Sequence, residues 1–323
     1  MSEISENRLA SLALGQLGLG EEASWAPPAS SAHFPDGGAY RIEIPSVEGP
    51  EPLRAVVEAA AEHGVTVHRV SQGSGVMLLS DEEIGAMVER CEEAQIELCL
   101  FLGPRASWDI GGGRSSRSGT GGARVRGAEE LRHSIADAER AVALGVRCLL
   151  VADEGVLWML DGLRAAGDLP PELTLKTSAL SAPLNPAAFA VAERLGADSV
   201  NVHADLTVAQ IAELRAAGAP SIDFYVEAPD DLGGFVRHYD AAEIVRVGAP
   251  AYLKFGLRNA PDLYPVGAHL TDVAVITARE RVRRAALCLA LMRRRGVRLE
   301  SSPAGARSAP AGLRRFGGRD TRG

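Results

Sequence analysis

The sequence predicts a single (β/α)8 barrel, and three observations lead to it. Eight short apolar runs, each bounded by turn residues, alternate with eight stretches of helical periodicity between residues 40 and 295. That span has the size of one such barrel. The first run leads into "PSVEGPEP", which lacks the Gly-rich turn that opens the alternative architecture, a doubly wound open sheet.

The elements follow in order. "YRIEIPS" (40–46) alternates apolar and polar residues. It leads into "LRAVVEAAAEHG", whose apolar i, i+3, i+4 spacing predicts a helix from near Glu51 to a glycine stop at Gly64. "VTVHRVS" (65–71) is the second strand, with a helix from near Asp81. "IELCLFL" (96–102) is the third. After a long polar loop, "LRHSIADAERAVALG" predicts a helix from near Ala128 to Gly145. "VRCLLVA" (146–152) precedes a helix from near Val156, and "LTLKTSA" (173–179) precedes one from near Asn185 to Gly196. "DSVNVHA" (198–204) precedes one from near Thr207 to Gly218. "SIDFYVE" (221–227) and "AYLKFGL" (251–257) come before the last two helices, from near Ala241 and Asp272. The barrel is therefore expected over 39–296. Residues 1–38 are expected to be an extension of loop composition, and 297–323, rich in Pro, Gly, Ser and Arg, a disordered basic tail.

Composition narrows the function. A net charge of −8 argues against a nucleic-acid binder. The N-terminus is polar and acidic rather than a secretory signal, and no apolar run reaches the ~20 residues that span a bilayer. Cys91, Cys99, Cys148 and Cys288 are far apart, with no C-x-x-C pair, so reduced cysteines and a cytoplasmic location are expected. The basic residues are unusual: of 34, 32 are arginine and only Lys176 and Lys254 are lysine.

Strand alternation assigns faces, because the side facing the helices must be apolar. It sends Arg41, Glu43, Glu97, Lys176, His203, Asp223, Tyr225, Glu227 and Lys254 into the lumen, and leaves the second and fourth strands ambiguous. Unpaired buried charge is costly, so these groups are expected to pair or to meet a ligand. Arg41, Glu97 and Asp223 lie near strand starts, where a structural ion network is expected. Lys176, His203, Glu227, Lys254 and Arg258 lie toward strand ends, where barrel active sites form. Loop candidates add Gln72, Arg105, Asp153, Glu154, Ser178, Asn259 and the Gly233-Gly234 pair. The Gly-, Ser- and Arg-rich loop after the third strand is either a mobile cover or a tolerated insertion.

Three chemistries fit these residues. A lysine could form a Schiff base with a carbonyl substrate. His203, Glu227 and Asp153 could bind a divalent metal. The lysines with Arg105 and Arg258 could clamp an anion, its phosphate or carboxylate also meeting the N–H groups of Gly233 and Gly234, while Glu227 or His203 serves as acid/base. The plain alternative for the lysines is a pair of core salt bridges. Arginine would serve such a pair at least as well, whereas a titratable amine is what arginine cannot supply.

"RVSQGSGVMLLSDEEI", "GPRASWD", "LKTSAL", "EAPDDLGGF" and "YLKFGLRNAPDLYP" resemble actinobacterial proteins described as peptidase family U32-like, over residues 40–295. The resemblance implies a barrel of the TIM type and, by its label, collagenase-like peptidase activity. Members of the wider family are associated with RNA or quinone hydroxylation, and some carry an iron–sulfur cluster on four cysteines. The family's "S-x-S-G-x-C" core is absent here and the cysteines fall inside elements, so neither the cluster nor a proteolytic nucleophile carries over. The expectation is a barrel enzyme, lyase or hydrolase, for a small anionic or carbonyl-containing metabolite. Lys176, Lys254, Glu227 and His203 would be catalytic, and Arg105, Arg258, Gln72, Ser178, Asn259, Gly233 and Gly234 would bind substrate. A barrel that only binds a ligand or a partner protein is the alternative.

Overall fold

A computed structural model describes residues 27–104 and 122–307. Its eight strands are β1 (Tyr40–Pro45), β2 (Arg69–Ser71), β3 (Glu97–Phe101), β4 (Cys148–Val151), β5 (Thr174–Thr177), β6 (Ser199–Asn201), β7 (Ser221–Glu227) and β8 (Ala251–Phe255). They pair in chain order and all in parallel, and β8 closes on β1, as expected for a (β/α)8 barrel. The helices around it are α1 (Pro50–His63), α2 (Asp81–Glu93), α3 (Gly127–Ala143), α4 (Glu154–Ala166), α5 (Pro186–Arg194), α6 (Val208–Ala217), α7 (Ala241–Gly248) and α8 (Thr271–Arg294).

Local chemistry sets the helix ends. Ser80 with Glu83, and Thr207 with Gln210, form capping boxes that satisfy orphan N–H groups at the starts of α2 and α6. Asn185 caps α5 ahead of Pro186, and Asp153 caps α4. Gly64 closes α1 in the left-handed conformation, whereas Gly218 after α6 is extended and supplies no such cap.

The main core lies between strands and helices, built from outward residues such as Ile42, Ile44, Leu175, Phe224, Leu253 and Phe255. It also resolves the two ambiguous strands. Val70, Leu149 and Val151 join this core, so Arg69, Ser71, Cys148 and Leu150 face the lumen.

The expected boundaries at 38 and 297 fall within a packed region that closes the barrel floor. Phe34 is buried, with the Arg41 guanidinium stacked 3.9 Å from its ring centroid. Ser301 bridges to Tyr40, so the first part of the supposed tail is ordered against β1. Ser302 is buried and accepts from Arg41 Nε at 3.0 Å. His68 ties the same segment down: Ile42 N–H donates to its Nδ1 at 3.0 Å, so Nε2 carries the proton and donates to the Ser302 carbonyl at 2.9 Å. Among the described residues, no helix is long and apolar enough to cross a membrane.

Candidate active site

The lumen holds a connected layer of fully buried charge. Arg69, on β2, is its hub: it donates to Glu43 on β1 at 3.3 Å, to Asp223 on β7 at 3.1 Å, and to Glu97 on β3. Lys176, on β5, pairs with Glu43 and, at 2.9 Å, with Asp223. Hydroxyls complete the layer. Ser71 donates to Glu43 at 2.7 Å and Ser199 to Asp223 at 2.7 Å. The ring of Tyr252 lies 3.7 Å from the Arg69 guanidinium carbon. The expected network of Arg41, Glu97 and Asp223 thus divides. Glu97 and Asp223 are joined through Arg69, while Arg41 pairs with Asp36 at 2.8 Å on the floor.

Above this layer, toward the strand C-termini, opens a cavity of about 440 Å³. Lys254, from β8, forms part of its base; it is buried, and Lys176 is not among the lining residues. The Lys254 amine donates to Asn201 Oδ1 at 2.6 Å, lies 3.3 Å from Glu43 Oε1, and sits 4.3 Å from the Tyr225 ring centroid. The two lysines therefore share Glu43 but differ in electrostatics. Burial depresses both, but Asp223 and Glu43 outweigh it for Lys176 and hold that ammonium above the ordinary lysine value. For Lys254 burial dominates, Lys176 adds repulsion, and the amine comes down to about 8 against the pull of Glu43. Glu43 is pushed up by burial, but Lys176, Lys254 and Arg69 hold it well below the usual carboxylate range. Burial keeps the Tyr225 phenol high and so protonated.

The connection from β8 to α8 folds across the mouth. Tyr264 packs where a side chain at Gly73 would sit, 2.5 Å from an ideal Cβ there, and its hydroxyl meets Ser46 Oγ at 2.5 Å. Val266 N–H donates to Ser74 Oγ at 2.9 Å. From α8, Arg281 reaches the same cavity while only 4% exposed.

Several sequence-predicted residues lie elsewhere. A β-bulge between Tyr225 and Glu227 aligns Glu227 with Phe255, a residue facing the helices. The Glu227 carboxylate consequently leaves the lumen and meets His238 at 3.4 Å and Arg284 at 3.5 Å, and it accepts from Arg258 N–H at 3.2 Å. His203 lies beyond the end of β6, 41% exposed, paired with Asp205 at 2.6 Å. Asp153 spends its carboxylate on the N–H groups of Gly155, Val156 and Val125, and Glu154 pairs with Arg124. The trio expected as a metal site is thus dispersed, and among the described residues no group of three His, Cys, Asp or Glu side chains is placed to hold a metal ion.

The loop candidates are also reassigned. Gly233 and Gly234, both at positive φ, donate their N–H groups to the carbonyls of Asp230 and Pro229, which removes them as anion donors. Arg258 is 60% exposed and pairs with Asp230, whose other oxygen accepts from Asn259 N–H at 2.6 Å. Gln72 and Ser178 do line the cavity, but Gln72 is engaged with both backbone groups of Gly75, and Ser178 Oγ accepts from Leu180 N–H. Arg105 and most of the loop after β3 lie outside the described residues.

Two lumen and cavity residues lie outside what strand alternation assigns. Arg69 was hidden by the phase of "VTVHRVS": Val65 and Val67 precede the strand, and only Val70 reports its outward face. Arg281 had a readable signal, since it interrupts a buried helical stripe of Ala274, Thr277, Ala278, Val282 and Ala285.

No protein-family model matches the chain, and no curated protein matches it. Solved structures similar to it include the YdjI aldolase from Escherichia coli K12, at 18% identity over 80% of this chain and 92% of that one, with a TM-score of 0.44. A U32 peptidase matches at 16% identity over 74% and 99%, with a TM-score of 0.43. Thiamine phosphate pyrophosphorylase from Pyrococcus furiosus matches at 9% identity over 79% and 97%, with a TM-score of 0.45. At such identities and scores these matches transfer no activity and no residue roles, and the likeness to U32 peptidases stands at the level of the barrel fold.

Proposed function

We propose that the protein is a barrel lyase in which Lys254 forms an imine with a small carbonyl substrate. The observation that carries this reading is the Lys254 amine at the base of the mouth cavity, buried and brought down to about 8 beside a second lysine held charged. The neutral Lys254 amine attacks the carbonyl carbon, and the carbonyl oxygen takes up a proton to give a carbinolamine. The nitrogen lone pair then expels that hydroxyl, which takes up a proton and leaves as water, while the face of the Tyr225 ring, its centroid 4.3 Å from Nζ, lies against the cationic nitrogen. The net change is amine plus carbonyl plus one proton to iminium plus water. The iminium then serves as the electron sink for breaking a bond at the adjacent carbon.

Charge balance favours that intermediate. Glu43, Glu97 and Asp223 face Arg69, Lys176 and Lys254, three against three when Lys254 is charged. A neutral Lys254 leaves the buried layer one negative charge in excess, and the iminium restores the balance in a medium of low polarity.

A binding-only barrel is the second reading, favoured by the Asn201 and Glu43 contacts that Lys254 already makes. Borohydride reduction in the presence of a panel of aldehydes and ketones separates the two. The expected result is a covalent mass increase mapped to Lys254 and lost in Lys254→Arg. No adduct with any carbonyl compound, in protein shown to be folded, would sink the imine reading.

A further inference from the structure

We infer that Arg281 is the anion-binding group of this cavity and that the substrate is an oxo acid, its carboxylate held by the Arg281 guanidinium. The inference deepens the imine reading: the oxo group rests on that reading, and the carboxylate contact rests on the site alone.

Arg281 is buried and lines the cavity. Its Nη1 donates only to Thr277 Oγ1, at 3.3 Å and one turn back on α8, and its Nε has no hydrogen-bond partner. Among the described residues no carboxylate lies within salt-bridge distance of it. Glu48, the carboxylate that exerts a field on it, spends both oxygens on the N–H groups of Gly73 and Ser74, at 2.8 and 2.9 Å. Burial, the largest cause, also lowers the guanidinium from its ordinary value, as expected for a cation without a counter-ion. The contrast with the rest of the interior is sharp, since Arg69 and Lys176 each hold at least two carboxylates. A fork of N–H donors buried with an unused Nε beside a cavity is suited to a planar oxyanion supplied by a ligand.

Carboxylate is favoured over phosphate by the rest of the lining. Asp230, Asp231 and Asp262 also border the cavity, and burial together with Asp262 and Asp230 raises the Asp231 carboxyl. This acidic border opposes a dianion more than a monoanion. With Lys254 at the base of the same cavity, the pair of cations reads as one group for the carbonyl and one for the acid.

The test uses ligands that cannot form an imine. A series of 2-hydroxy acids (lactate, 2-hydroxybutyrate, 2-hydroxyhexanoate) is compared with 1,2-diols of equal chain length, by thermal shift and isothermal titration on the full chain. The acids are expected to bind and the diols not. Arg281→Met is expected to weaken binding of the acids on the order of 100-fold. Free of ligand, it should melt at or above the wild-type temperature, because a costly unpaired charge is gone. Arg281→Lys should recover part of the affinity, which also covers the case in which the methionine variant does not fold. Wild-type protein that binds diols as well as acids, or an Arg281→Met protein that binds the acids undiminished, would overturn the proposal. So would binding of organic phosphates with no binding of the acids. Borohydride trapping with the matching 2-oxo acids is scored separately. Hydroxy-acid binding through Arg281 without any trapped adduct removes the imine and leaves the carboxylate site standing.

Discussion

The two ends of the lumen treat buried charge in opposite ways. In the inner layer, Arg69 and Lys176 are surrounded by Glu43, Glu97 and Asp223, with serine hydroxyls filling the remaining acceptor positions. At the mouth, Lys254 has an amide oxygen and a share of Glu43, and Arg281 has one threonine hydroxyl. The cations are of the same types and almost equally buried. The inner ones are consumed by their neighbours, and the outer ones border the cavity with fewer partners, which is where the proposed function places the ligand. On the proposed function, pairing, rather than burial, separates a structural charge from a functional one.

The largest expected effect comes from breaking the paired side. Arg69→Met leaves three carboxylates short of a partner, and a loss of at least about 3–5 kcal/mol in urea or thermal denaturation is expected. Next is Lys254→Arg, which abolishes the borohydride-stable adduct. It costs less stability than Arg69→Met, because Glu43 keeps Arg69, Lys176 and Ser71. Equal destabilisation by the two variants would erase the distinction between the ends of the lumen.

The pH dependence sharpens the comparison. Adduct formation should rise between pH 7 and 9, half-complete near the value of about 8 for Lys254, with Lys176 still charged throughout. The same shift has a stability consequence. Between about 8 and the ordinary lysine value the unfolded chain holds the proton that the native state has released, so this group's contribution to stability increases with pH there. A trapping rate independent of pH over that range would count against Lys254 as the nucleophile.

The floor gives a response at lower pH. His68 is held below its ordinary value chiefly by burial, against the Ser302 carbonyl. Its neutral ring supports the fold above the unfolded value of about 6.5, and that support is lost as pH falls through the lower folded value. Melting temperature should therefore drop between pH 7 and 5, and His68→Gln should flatten the slope while lowering stability at neutral pH. The smallest effect is expected from His203→Ala. Its exposed pair with Asp205 stands apart from the cavity, so stability should change by less than about 0.5 kcal/mol and adduct yield by nothing measurable.

Much of the lumen was legible because regular strands obey a period of two. Glu43, Glu97, Lys176, Asp223, Tyr225 and Lys254 all face inward as alternation predicts. The errors come where that period stops. Glu227 follows a bulge, which shifts its side chain by one residue onto the outer face. His203 lies two residues past the end of β6, where no alternation applies. In β2 the three-residue strand is too short to announce its phase, so the hub arginine was concealed. Arg281 lies on the apolar spacing of α8, and that spacing reports a buried face without reporting the one charge it carries.

The sequence by itself determined the barrel, the order of its strands and the placement of both lysines on its inner wall. Those depend on periodicity and chain order, which are local properties. Only the tertiary structure decided which charges meet. Glu43, Arg69, Lys176, Asp223 and Lys254 come from five strands spread over the length of the barrel. Whether a buried cation finds a carboxylate depends on strand register and on a single bulge, and those arise only when the sheet closes. That closure leaves Lys176 fully paired, and Lys254 and Arg281 open to the cavity.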